Sequence, residues 1–196
     1  TKSSEPFASF WKKVPLCEEM ATAESDRTRK KYLQICLARI EEIERSGKAD
    51  QRIELIYPTA LMMAGRYSEA NERLDGIEKK RPQLRKDVLF QRAMISDRQA
   101  RWQESYETIR EYYRLETDVS GLQVELMYIN ALVNLNMGVC ALEEVRRAKA
   151  VYPGVWQAMA AESAVWDAFG FKEEALFILE KARGMGFEMP VNIQLL

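Results

Sequence analysis

Four short segments recur along the chain at a nearly constant interval, and no other sequence feature limits the possible folds as tightly. Ala64-Gly65-Arg66-Tyr67-Ser68-Glu69-Ala70, Gln99-Ala100-Arg101-Trp102-Gln103-Glu104-Ser105, Met137-Gly138-Val139-Cys140-Ala141 and Phe169-Gly170-Phe171-Lys172-Glu173-Glu174-Ala175 align on the residue at the turn. That residue falls at positions 65, 100, 138 and 170, with intervals of 35, 38 and 32. A period near 34 or 35 accommodates two short helices and their connections. A single such pair cannot bury its apolar stripe alone, so successive pairs must stack.

Each recurring residue has a physical task. A glycine at the turn takes the positive φ that ends a helix, and an aromatic just after it (Tyr67, Trp102, Phe171) is placed to plug the gap between neighbouring hairpins. Small residues at Ala70, Ser105, Ala141 and Ala175, and Pro58, Ala93, Ala131 and Ser163 seven positions before each turn, permit close helix crossing. Leu74, Ile109 and Leu179, with Ile77, Tyr112 and Ala182, form the buried stripe of the second helices. Pro82 and Pro153 end their hairpins, since neither continues a helix.

Composition agrees with helices. Glycine numbers only 9 and proline 6, while long stretches rich in Ala, Leu, Glu, Arg, Lys and Met run between short breaks. A first helix is predicted from Glu24 to Ser46, with Leu33, Cys36, Leu37, Ile40 and Ile43 on one stripe and Gly47 as its stop. Residues Phe7–Thr22, interrupted by Pro15, read as a lead-in. An irregular helical bundle would share this composition; the spacing is what favours a stack.

Gly-Arg-Tyr-Ser-Glu-Ala, followed twelve residues after Ala70 by Pro82, resembles the tetratricopeptide-repeat signature, and Gly-Phe-Lys-Glu-Glu-Ala near the end is similar. The resemblance runs from Gln51 to Gly186. It implies an all-α solenoid of antiparallel helical hairpins wound as a right-handed superhelix. Residues 1–50 would form lead-in and capping helices, 51–186 about four hairpins, and 187–196 the start of a further helix, since Val191–Leu196 is apolar enough to begin one. The 38-residue interval implies an insertion around Thr117 to Gly121.

Catalysis finds little material. There is no histidine, which removes Ser-His-Asp and Cys-His nucleophile systems and histidine-based zinc sites. Gly184-Met185-Gly186 lacks the third glycine and the preceding strand of a dinucleotide loop. The pairs Glu18-Glu19, Glu41-Glu42, Glu143-Glu144 and Glu173-Glu174 are adjacent on helices, so their side chains diverge by about 100°. Cys17, Cys36 and Cys140 are odd in number and too scattered for a disulfide framework or a metal site. Buried thiols in a reducing compartment, cytoplasmic or organellar, are expected. The chain is therefore expected not to be an enzyme and to need no cofactor. Its formal charge of −1 gives no general attraction to nucleic acid, and no apolar run approaches the ~18 residues of a membrane span. Beginning at Thr1 rather than Met leaves room for a preceding segment.

Binding is the function that remains. The resemblance implies that first helices line an inner groove, which singles out Leu55, Thr59, Met62, Met63, Phe90, Met94, Tyr128 and Leu132 as contacts for a helix or extended peptide of another protein. Members of the family that grip heat-shock chaperone tails use Lys, Asn and Arg on their first helices. Here those places hold Leu55, Thr59, Phe90, Met94, Tyr128, Leu132, Ala160 and Ala164, so that clamp is missing. Basic clusters at Lys79-Lys80-Arg81 and Arg146-Arg147-Lys149 stand near helix C-termini, where cations are favoured, and also suit an acidic partner. Two alternatives stay open. Ala175–Pro190 resembles the end of a pentatricopeptide unit and would imply RNA binding, and the chain could equally be a structural subunit of a larger complex.

Overall fold

The computed structural model describes residues 26–47, 50–115 and 121–184. The expectations for Phe7–Thr22, for residues 117–120 of the insertion and for Val191–Leu196 lie outside those residues. Among the described residues there is no strand. The helices are α1 (Asp26–Arg45), α2 (Gln51–Met63), α3 (Tyr67–Lys80), α4 (Arg85–Arg98), α5 (Trp102–Leu115), α6 (Leu122–Asn134), α7 (Gly138–Val151), α8 (Trp156–Ala168) and α9 (Lys172–Gly184). From α2 onward they follow one another as pairs joined by tight turns.

Four of those turns share one backbone solution. Gly65, Ala100, Asn136 and Gly170 all have left-handed φ, at 75°, 54°, 58° and 87°. At each, the turn residue donates to the carbonyl three back and its successor to the carbonyl five back: Gly65 to Met62 at 3.0 Å and Arg66 to Leu61 at 2.9 Å, then likewise at Ala100-Arg101, Asn136-Met137 and Gly170-Phe171. This is the helix-ending arrangement that satisfies orphan carbonyls. The third turn is thus centred on Asn136, not Gly138, which is the first residue of α7. Asparagine also tolerates the left-handed region, so no glycine was required there. The intervals become 35, 36 and 34 residues.

With that register every buried position repeats. Five residues past each turn stand Ala70, Ser105, Ala141 and Ala175, at 0, 0, 0 and 4% exposure. Nine past it come Leu74, Ile109, Val145 and Leu179, and twelve past it Ile77, Tyr112, Ala148 and Ala182; all but the half-buried Leu179 are buried. Phe171 is not the plug expected of it, since it stands one residue past its turn, where Tyr67 and Trp102 stand two past theirs, and it is exposed. At the equivalent place α7 has Gly138, and the ring of Phe169 fills the space: a Cβ on Gly138 would lie 2.7 Å from Phe169 Cζ. The third hairpin receives its aromatic filler from the next one. Of the thiols expected to be buried, Cys36 is, but Cys140 is exposed, because the first turn of α7 presents it away from the crossing residue Ala141; Cys17 lies outside the described residues.

By packing, the chain divides between Gln91 and Arg92 into two units. In the first, Leu33, Cys36, Leu37 and Ile40 of the predicted α1 stripe are buried, and Ile43 is half-buried. Tyr57 Oη donates to Glu41 at 3.2 Å, Arg73 pairs with Glu44 at 2.9 Å, and the Arg73 guanidinium lies over the Tyr57 ring. Asp50 caps α2 by accepting from the Arg52 and Ile53 amides, both at 3.0 Å. Pro58 stands inside α2 and is fully buried. Its ring has no N–H to give the Glu54 carbonyl four residues back, and the next carbonyl, that of Leu55, accepts from Gln91 Nε2 at 2.8 Å. Gln91 Oε1 in turn accepts from Thr59 Oγ1 at 3.1 Å, so a buried amide is satisfied at both ends.

The second unit has a continuous core of Ile129, Leu132, Ala141, Val145, Ala148, Ala158 and Val165, contributed by α6, α7 and α8. Ser163 Oγ donates to the Ala175 carbonyl at 2.9 Å, which shows how closely α8 and α9 cross where both residues are small.

Candidate functional site

First-helix side chains at one distance from the turn differ in burial from hairpin to hairpin. In the first unit Thr59 and Met62 are buried and Leu55 and Phe90 half-buried, while Met63 is exposed. In the second unit Met94 and Leu132 are buried, and Tyr128 is half-buried. The two-residue offset of the third turn explains the last pair. Counted from Asn136, the positions equivalent to Leu55 and Thr59, or Phe90 and Met94, are Leu126 and Asn130 instead of Tyr128 and Leu132. Leu132 consequently belongs to the core, and the Tyr128 ring meets second-helix residues: it stacks on Tyr106 at 5.6 Å and meets Tyr113 edge-on at 5.4 Å. Burial and the neighbouring Tyr106 push the Tyr128 hydroxyl up to about 12.

The residues of α6 and α8 on that face carry no charge, and on α6 most of them are polar, whereas Arg98, the α4 residue at the place of Asn134 and Ala168, is charged and exposed. Gln123, Asn130 and Asn134 of α6 are exposed and Leu126 half-buried; on α8, Ala164 and Ala168 are exposed and Gln157 and Ala160 half-buried. Several of the carboxamides are held by neighbours. Asn130 Nδ2 donates to Asp97 Oδ1 at 2.8 Å, Asn134 Nδ2 donates to the Asn130 carbonyl at 2.8 Å, and Gln123 Nε2 lies 3.5 Å from Met94 Sδ. Gln157 Oε1 is buried without a partner. Burial raises the Asp97 carboxyl above the ordinary aspartate range, against the lowering effect of the Asn130 amide. A row of carboxamides offers donors and acceptors to another chain's backbone, and the alanines of α8 allow close approach.

Behind this face lies an ion pair that the sequence did not announce. Glu125, on the first turn of α6, is only 2% exposed. Its carboxylate accepts from Arg147 at 2.5 Å and from Tyr113 Oη at 3.2 Å, and Arg147 also reaches Glu144 at 2.6 Å and lies over the Tyr113 ring. Burial, then the Glu125 charge, raises the Tyr113 hydroxyl well above its usual range. Burial alone would lower Arg147, but its hydrogen bond to Glu144 and the charge of Glu125 outweigh that and raise it. The group is saturated by its own partners and ties α5, α6 and α7 together.

Among the described residues no group of three or more Cys, Asp or Glu could hold a metal ion, and no helix is long and apolar enough to cross a membrane. A shallow cleft in the first unit, lined by Asp75, Glu78, Lys79, Pro82 and Arg85, mixes both charge signs.

Consecutive helical hairpins with small crossing residues and a recurring left-handed turn define the tetratricopeptide-like solenoid class. Solved structures agree. MamA, a tetratricopeptide-like helical protein, is similar in its MSR-1 form at a TM-score of 0.60 and 15% identity, covering 91% of this chain and 95% of that one. MamA from AMB-1 is similar at 0.57 and 16% identity, covering 96% of each chain. No family model matches the chain and no curated protein does.

Proposed function

We propose that this chain is a non-catalytic protein-binding scaffold, an adaptor or assembly factor, that takes a helix or extended stretch of another protein along its first-helix faces. The observation that carries the reading is the stripe of Gln123, Leu126, Asn130 and Asn134 on α6 with Ala160, Ala164 and Ala168 on α8, uncharged and outside the core cluster. Buried repeat positions are accounted for by packing, and the carboxamides, though each holds a neighbour, stay exposed with further donors and acceptors to offer. On α6 and α8 the stripe has no cation to hold phosphates, which favours a protein ligand over RNA.

The test is a photo-crosslinking amino acid placed at Asn130, with Glu143 on the opposite helix of the hairpin as control. Discrete protein adducts at position 130, absent at position 143, are expected. Adducts at 130 that disappear on ribonuclease treatment would replace this reading with RNA binding.

A further inference from the structure

Three residues before each turn, at the edge of the first-helix face, stand Met62, Asp97, Val133 and Asp167, the first buried and the others half-buried. Of these, Asp97 is held by the α6 stripe. Its Oδ1 accepts from Asn130 Nδ2 at 2.8 Å, and Asn130 Oδ1 in turn accepts from Asn134 Nδ2 at 3.1 Å. A carboxylate only accepts, so it fixes which way the Asn130 amide points, and both amides donate toward Asp97. The chain of hydrogen bonds therefore runs one way along the face and ends on an anion with acceptor capacity left over.

The same unit shows how a carboxylate is treated when packing needs it. Glu125, 2% exposed, is met by Arg147 at 2.5 Å and by the Tyr113 hydroxyl at 3.2 Å. Asp97 has only an amide in that role: among the described residues no lysine or arginine lies within ion-pair distance of it, and the cation whose charge bears on it is Arg98. As the next residue on α4, Arg98 projects about 100° away, and it is exposed. Burial holds the Asp97 carboxyl above its ordinary range, so at neutral pH its charge lowers the stability of the folded chain. An acceptor-only group kept under that penalty, beside a stripe of α6 and α8 without charge, lacks a cationic donor that the chain itself does not supply. Leu126, one turn before Asn130, is half-buried and offers a surface for the aliphatic stem of such a residue. Arg98 repels a run of cations, which leaves room for one.

We propose that Asp97, positioned by Asn130, reads a single arginine or lysine side chain of the segment bound along α6 and α8. The inference rests on the protein-binding reading above and names the one charge that its ligand carries to this face.

The test is selection of a phage-displayed library of random dodecapeptides on the full chain and on Asp97→Asn, which keeps an oxygen to accept from Asn130. Peptides enriched on the wild-type chain are expected to share one Arg or Lys, and those enriched on the variant to lack it. A fluorescent copy of a peptide selected on wild type, followed by anisotropy, loses at least about tenfold in affinity on Asp97→Asn. A copy with its cation replaced by glutamine loses the same factor on wild type and nothing further on the variant. A carboxylate of purely structural role would change stability when replaced and leave these affinities alone. Peptides that cross-link at position 130 yet share no cation, or that bind Asp97→Asn as tightly as wild type, overturn the assignment and leave the protein-binding reading standing. A library that yields no peptide cross-linking at position 130 overturns both.

Discussion

Ala100 and Gly65 occupy the same place in two hairpins, with left-handed φ of 54° and 75°, and one of them has the wrong residue for it. A side chain in this region costs about 1–2 kcal/mol through the contact of Cβ with the backbone. Glycine avoids that cost but gives the unfolded chain more freedom, worth about 0.5–1 kcal/mol in the opposite sense. Ala100→Gly is therefore expected to stabilise by about 0.5–1 kcal/mol, and Gly65→Ala to destabilise by about the same amount. A Cβ on Gly65 or Gly170 would meet nothing within 4 Å, so these substitutions report the backbone without a steric clash. Asn136→Gly should gain less, because asparagine already tolerates the conformation. Urea denaturation followed by circular dichroism, with each variant against wild type, reads the shifts; a change of 1 kcal/mol moves the thermal midpoint by about 2–4 °C at this length. Ala100→Gly lowering stability, or Gly65→Ala leaving it unchanged, would refute the turn assignment.

Three further outcomes follow from the same packing. Arg147→Met is expected to cost about 3 kcal/mol, more than Glu125→Gln, because it leaves the buried Glu125 carboxylate without its cation whereas Arg147 is 46% exposed and keeps Glu144; equilibrium unfolding orders the two. Ser105→Ala, removing a buried hydroxyl with no partner at a place where the other hairpins have alanine, should raise stability by about 1 kcal/mol in the same assay. Asp97 has a folded-state pKa above its unfolded one, so it binds more protons folded and its contribution to stability falls as pH rises through that window. Asp97→Asn, which keeps an oxygen to accept from Asn130, should be more stable than wild type at pH 7, with the difference closing in thermal melts as the pH is brought down to about 4.

Local signals were legible wherever one residue type dominates a conformation. Gly65 and Gly170 marked their turns, the stripe from Leu33 to Ile40 marked α1, and small residues at Ala70, Ser105, Ala141 and Ala175 marked the crossings. The third turn misled because Gly138 stands two residues after Asn136, and a glycine draws the marker although asparagine supplies the positive φ. Moving the marker to Asn136 restores Val145 and Ala148 to the repeating pattern. It also shows why Tyr128 and Leu132 were chosen for the face in place of Leu126 and Asn130. Met62 and Thr59 illustrate another limit: α2 is buried continuously from Ile56 to Met62, so periodicity could not separate its groove side from its core side. The Glu125–Arg147 pair was beyond reach, since Arg147 reads as one of several cations at a helix end and only tertiary contact singles it out.

Backbone chemical shifts and HN–Hα couplings measured by nuclear magnetic resonance across residues 50–184 test most directly whether the chain is a succession of helical hairpins turning about every 35 residues. Helical shifts interrupted by left-handed residues at Gly65, Ala100, Asn136 and Gly170 are predicted. Helical shifts running unbroken through Asn136, or extended shifts within any of the eight paired helices, would contradict it.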